Sequence, residues 1–198
     1  MQLSRIAVAG ASGLIGSALV RSLTADGHEV VRLVRREPRD GEVRWDPEAG
    51  RVDTAGLAGC DAVVNLAGAG VGSRRWTEAY KKRIRDSRVN GTSALARAVA
   101  SLDEPPKVFV NGSAMGYYGE TGDRVVDESS PPGEGFLPEL CVEWDLPDDE
   151  EELGRLDRAE WSPLHEVLPE QRPPYRPFFD ERHLPDDCLV AEAGRRIL

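Results

Sequence analysis

The chain has 198 residues, 40% of them hydrophobic, and a formal net charge of −10. That length suits one sizeable domain, or one domain and a tail. The acidic balance argues against a nucleic-acid partner and an anionic membrane surface, and no run of about 18 apolar residues offers a membrane span.

Arg5–Ala9 reads as a buried first strand. It runs into Gly10-Ala11-Ser12-Gly13-Leu14-Ile15-Gly16, and a helix over Leu14–Ala25 follows, with Leu14, Ile15, Ala18, Leu19 and Leu23 on one face and Asp26-Gly27 ending it. Three glycines at this spacing, between a strand and a helix, make a dinucleotide pyrophosphate site. The first allows the tight turn. The second lets backbone approach the phosphates, and the third lets the helix pack close to the strand. The phosphates sit on the unpaired N–H groups at the positive end of the helix.

Glu29–Val34 is the second strand, with His28 as a turn residue before it. Val43–Trp45 and Arg51–Asp53 flank Asp46–Gly50 as a hairpin or short excursion. Asp61–Leu66 is the next central strand. Thr77 to about Leu102 is one long helix capped by Thr77 or Ser73, and Lys107–Asn111 is another apolar strand. Alternating strands and helices predict a doubly wound parallel α/β sheet of Rossmann type, covered on both faces.

Residues 1–146 form this nucleotide-binding domain. Residues 147–198 differ in character: they hold 14 acidic and 7 basic side chains and 7 of the 14 prolines. Such composition fits a disordered or weakly packed tail, with a folded substrate-binding subdomain as the alternative. The N-terminus has no signal-peptide pattern, so a cytoplasmic location is expected. Cys60, Cys141 and Cys188 form no CxxC pair, and His28, His165 and His183 are scattered, so neither a disulfide framework nor a metal site is expected.

An acidic residue about 20 positions beyond the glycine loop would bind the ribose 2′-hydroxyl of NAD. Here the second strand ends Val34-Arg35-Arg36. A guanidinium fork suits a 2′-phosphate, which favours NADP, with NAD as the alternative. Ordinary solvated loop charges are the plain reading of the same arginines.

Beyond the glycine loop, three further stretches resemble the extended short-chain dehydrogenase/reductase superfamily, in its NAD(P)-dependent epimerase/dehydratase-like branch. They are Asn65-Leu66-Ala67-Gly68, Arg85-Asp86-Ser87-Arg88 with Thr92, and Ser113-Ala114-Met115-Gly116-Tyr117-Tyr118-Gly119; Phe136-Leu137 and Cys141–Trp144 continue the match. The resemblance covers about residues 3–146 and implies a truncated or rearranged member. It implies that Asn65, Leu66, Ala67 and Gly68 line the adenine and ribose side of the cofactor. It implies that Ser113 hydrogen-bonds a substrate oxygen, with Tyr117 and Tyr118 close by. Relatives also carry a Tyr-x-x-x-Lys pair, in which the ammonium favours the phenolate. No such pair exists in this chain; the matching place runs from Cys141 to Asp145. Cys141 among Glu139, Glu143 and Asp145 reads as a buried helix cysteine. Ser73-Arg74-Arg75-Trp76 reads as a solvated loop anchored by Trp76, or as a contact to phosphates or an anionic substrate. The expected function is an NADP(H)-binding oxidoreductase acting on a small molecule. A non-catalytic NADP-binding sensor or scaffold, or a gene fragment without function, are the alternatives.

Overall fold

The computed structural model describes residues 3–127 and 129–145. Six strands, β1 (Arg5–Ala9), β2 (Glu29–Val34), β3 (Glu42–Asp46), β4 (Arg51–Val52), β5 (Ala62–Asn65) and β6 (Val108–Asn111), form one sheet in the order β4-β3-β2-β1-β5-β6. All neighbours run parallel except β3 and β4, which pair antiparallel as Trp45↔Val52 and Asp46↔Arg51. The chain winds outward from β1 through β2 and β3, then crosses to β5 and β6 on the other side. The direction of winding reverses between β1 and β5, and a crevice opens there at the carboxyl ends of the strands.

β1 shows why the sheet lies inside. Ile6, Ala7, Val8 and Ala9 are all fully buried, because a parallel strand is covered on both faces. Its side chains alternate between two cores. Ala7 and Ala9 join Val31, Leu33, Val43, Trp45 and Val63 under the second half of a long helix, α3 (Glu78–Ala100), which contributes Leu95, Ala98 and Val99. Ile6 and Val8 join Ala62 and Val64 on the opposite face, under α1 (Leu14–Ala25). A short helix, α2 (Thr54–Leu57), adds the fully buried Leu57 to the first core. Four residues carry too little periodicity to announce a helix in the sequence.

The buried face of α1 matches in part the one hydrophobicity predicts: Leu23 is buried and Leu19 packs against the core. Gly16, Val20 and Leu23 are buried, whereas Leu14 is 65% exposed and Ala18 is exposed. Gly16 sets the rotation. A Cβ there would stand 2.2 Å from Gly10 O and 2.9 Å from its carbon, so the helix meets the loop backbone to backbone.

α3 begins at Thr77, whose side chain accepts from the Tyr80 N–H. That decides between the two expected caps. Its first half leaves the sheet and packs on α4 (Phe136–Asp145) through Tyr80, Ile84, Val89, Leu140 and Trp144. Arg85 and Glu143 form an ion pair between the two helices, with Nε to Oε2 at 2.6 Å. His28 does lie in the turn before β2, but it is buried: the Ser4 N–H donates to its Nδ1 at 3.2 Å. The disordered or weakly packed tail expected over residues 147–198, and its alternative of a folded subdomain, lie outside the described residues.

Candidate cofactor and substrate site

Gly10 begins the loop between β1 and α1 at φ +77°, a conformation that L side chains rarely adopt. A Cβ there would also stand 2.5 Å from Leu66 O. The exit of β5 therefore lies directly against the glycine loop. At Gly13 the only neighbour of a built Cβ is Gly10 O at 3.3 Å, and the residue is exposed. Ser12 and Leu14 are exposed beside it, and Ile15 is half-buried. Gly13 is the N-cap of α1, and no side chain caps the helix or places an acid in its first turn. The positive end of a 12-residue helix is thus open at the carboxyl edge of the sheet. Close packing at Gly10 and Gly16, with Gly13 exposed and near only one backbone oxygen, fits a dinucleotide pyrophosphate.

The two arginines after β2 differ. Arg36 donates to both carboxylate oxygens of Glu42, from Nη1 at 2.7 Å and from Nη2 at 2.5 Å, and Nη1 also donates to Glu37 O. The Arg39 N–H donates to the same carboxylate at 2.8 Å. These bonds hold the Glu42 carboxyl below its ordinary pKa, with the Arg36 bond as the largest cause. Glu42 clamps the loop, and Arg36 serves as one jaw of that clamp. Arg35 is exposed and has no hydrogen bond or ion pair among the described residues. Identical side chains in adjacent positions are spelled the same in sequence. Only the position of Glu42 separates them.

Asn65 turns inward and is 1% exposed. Its Nδ2 donates to Thr92 Oγ1 at 3.0 Å and to Asn111 Oδ1 at 2.8 Å, while its Oδ1 accepts from the Ala67 N–H. Thr92 donates to Asn111 Oδ1, and Trp144 Nε1 donates to Thr92 Oγ1. This network ties β5, α3, β6 and α4 together with every side chain bonded, as buried polar groups require. The Asn65 side chain acts within the fold, and its backbone leads to the crevice. Leu66 and Ala67 are half-buried there and Gly68 is exposed.

The segment after β6 reaches the same edge. The Gly112 N–H donates to Asn65 O at 2.9 Å. Ser113 is half-buried, and a 3-10 turn over Met115–Tyr118 carries Tyr117 and Tyr118, whose rings meet edge to face at 5.2 Å. α4 packs on this turn. Cys141, 2% exposed, lies with its Sγ 3.8 Å from Ala114 O. The three lysines of the chain stand elsewhere. Lys81 pairs with Glu78, Lys82 pairs with Asp86, and Lys107 precedes β6 at the opposite edge. Trp76 anchors its loop by donating from Nε1 to Val71 O at 2.8 Å and by its edge contact with Phe136, yet remains 40% exposed. Among the described residues no group of His, Cys, Asp and Glu could hold a metal, and no helix is long and apolar enough to cross a membrane.

One residue of this edge has no role legible in the sequence. Arg88 of α3 lies with its guanidinium beneath Gly68, where a Cβ would stand 3.0 Å from Cζ. Its motif was visible, but its partners, Ala69 and Trp144, are distant in sequence.

The family model for the NAD dependent epimerase/dehydratase family matches residues 6–136. An epimerase family protein of Mycobacterium leprae is 50% identical over 141 residues, which are 71% of this chain and 45% of that protein. The crystal structure of human epimerase family protein SDR39U1 with NADPH matches at a TM-score of 0.63 and 38% identity, over 71% of this chain and 47% of that one. A nucleoside-diphosphate sugar epimerase from Corynebacterium glutamicum matches at a TM-score of 0.63 and 37% identity, over 73% of this chain and 30% of that one. The chain thus spans about half or less of the length of these relatives. Sheet order, glycine loop and family match agree: this chain belongs to the NAD dependent epimerase/dehydratase family.

Proposed function

We propose that this chain binds NADP(H) across the β1–β5 crevice as the nucleotide-binding part of an epimerase-family oxidoreductase acting on a small molecule. The observation that carries the reading is the pairing of an exposed Gly13, at the uncapped start of α1, with an exposed Arg35 after β2 that pairs with nothing among the described residues. The solved SDR39U1 relative holds NADPH. The glycine loop from Gly10 to Gly16, with Ser12, Leu14 and Ile15, would hold the pyrophosphate on backbone N–H groups. Arg35 would take the 2′-phosphate, and Leu66, Ala67 and Gly68 would line the path beyond Asn65. The nicotinamide supplies hydride chemistry when bound. The chain's own part is to orient the cofactor at the carboxyl edge. There Ser113 donates a hydrogen bond to a substrate oxygen, and Tyr117 or Tyr118 supplies a proton.

A second reading, binding without turnover, is favoured by one observation: no Tyr-x-x-x-Lys pair exists in the chain, and all three lysines lie away from the two tyrosines. NADPH consumption with a panel of carbonyl substrates separates the two. Turnover that falls on Ser113→Ala supports the oxidoreductase. Tight NADPH binding with no turnover on any substrate supports the binder.

A further inference from the structure

Among the arginines of α3, Arg83, Arg85 and Arg97 are exposed and Arg88 is half-buried. Lys81, Lys82 and Arg85 on the same helix each pair with a carboxylate. Arg88 pairs with none among the described residues. Its guanidinium lies against Gly68 and also over the Trp144 ring, with Cζ 5.2 Å from the ring centroid. Nη1 donates to Ala69 O at 3.0 Å and to Ile84 O at 3.2 Å. A guanidinium has five N–H donors in a fixed plane. Nε and Nη2 make no hydrogen bond among the described residues, and neither is a buried unpaired atom. One edge of the fork is thus fixed by carbonyls while the other stays accessible. Burial pushes the guanidinium pKa down, and the neighbouring Cys141 and Tyr80 offset this in part.

The place of this fork follows from the topology. Gly68 and Ala69 are the exit of β5, and Cys141, beside the guanidinium, touches Ala114 at the exit of β6. Arg35 lies on the other side of the glycine loop, beyond β2. In the NADP(H) reading, a dinucleotide running from Arg35 across Gly13 continues toward the exits of β5 and β6, the edge at which Arg88 lies.

We propose that the free edge of Arg88 binds an oxyanion, a carboxylate or phosphate group carried by the substrate. The argument for the substrate as the source rests on the NADP(H) reading above. The fork matches such a group bidentately. The bonds from Nη1 to Ala69 O and Ile84 O and the contact with the Trp144 ring hold the fork in place, and no carboxylate among the described residues neutralises this half-buried cation, which leaves that to the ligand.

The test uses inorganic phosphate as probe and the 198-residue chain. The unfolding midpoint is followed against phosphate at constant ionic strength, with chloride as the balancing salt. Phosphate can also occupy the glycine loop, so the titration is run on Gly13→Val as well as on the unaltered chain. A saturable rise that persists in Gly13→Val, and in the unaltered chain saturated with NADPH, is expected. Arg88→Gln on the Gly13→Val background should abolish it, and Arg88→Lys should weaken it by about tenfold through loss of the bidentate, charge-assisted bonds. If Arg88→Gln does not fold, Arg88→Lys decides alone. An unchanged response in either variant overturns the site. Loss of the whole response in Gly13→Val also overturns it. A response that NADPH abolishes assigns the fork to the cofactor and overturns the substrate assignment. The Gly13→Val arm needs no bound cofactor, so failure of the NADP(H) reading leaves Arg88 separately tested.

Discussion

Trp144 Nε1 donates to Thr92 Oγ1 at 2.8 Å, and the same hydroxyl accepts from Asn65 and donates to Asn111. One threonine thus joins α4, α3, β5 and β6 behind the crevice. Thr92→Val keeps the volume and removes the hydroxyl. Both N–H donors lose their acceptor in a buried site, so a loss of about 1–3 kcal/mol is expected. Urea unfolding followed by fluorescence checks this, and an unchanged midpoint at equal slope would show that water replaces the hydroxyl.

The glycines of the loop should fail in different ways. At Gly16 a methyl group meets backbone at 2.2 Å, so Gly16→Ala should force α1 off β1 and lower both stability and NADPH affinity. At Gly13 only one contact of 3.3 Å stands in the way, so Gly13→Val should keep native circular dichroism and lose nucleotide binding. Equal destabilisation by the two would place Gly13 in the packing.

Arg35 and Arg36 should separate in the same manner. Arg35→Ala should weaken NADPH by tenfold or more and leave NADH almost unchanged, since a hydrogen bond to a charged group contributes about 1.5–3 kcal/mol. Arg36→Ala should act on both cofactors to a smaller and similar degree, through the loop that Glu42 holds. Parallel calorimetric titrations with NADPH and NADH check both. A larger NADPH-selective loss in Arg36→Ala would reverse the assignment.

The Glu42 clamp has a pH dependence of fixed sign. Its folded pKa is depressed, so its contribution is present above its ordinary value and is lost as pH falls through the lower, folded value. Glu42→Gln should therefore be less stable near neutrality and lose stability less steeply between about pH 5 and 2. Unfolding midpoints over that range check this. Parallel curves for the two proteins would show that the carboxylate carries no linkage.

The parts legible in sequence were local. Arg5–Ala9, Gly10–Gly16 and the long helix after Thr77 announce themselves through period, spacing and caps within a few residues. The illegible parts depend on distant or chemically silent partners. Asn65 stands 27 residues from Thr92 and 46 from Asn111, so nothing near it shows that its side chain turns inward. Arg36 and Arg35 differ only through Glu42. Hydrophobic periodicity finds Leu19 and Leu23 on the core face of α1 but also predicts the exposed Leu14 and Ala18, because it counts side chains, and Gly16, which meets the loop backbone to backbone, has none. Arg88 stood inside a visible motif, but its role follows from Gly68 and Trp144, which meet only in the fold.

The central claim is that the β1–β5 crevice holds NADP(H), with Arg35 on the 2′-phosphate. Equilibrium titration of the folded chain with NADPH and with NADH tests it most directly. The account predicts saturable one-to-one binding of NADPH, at least tenfold tighter than NADH, given a charge-assisted contribution of about 1.5–3 kcal/mol. A chain with native circular dichroism that binds neither cofactor, or binds both equally, would contradict it.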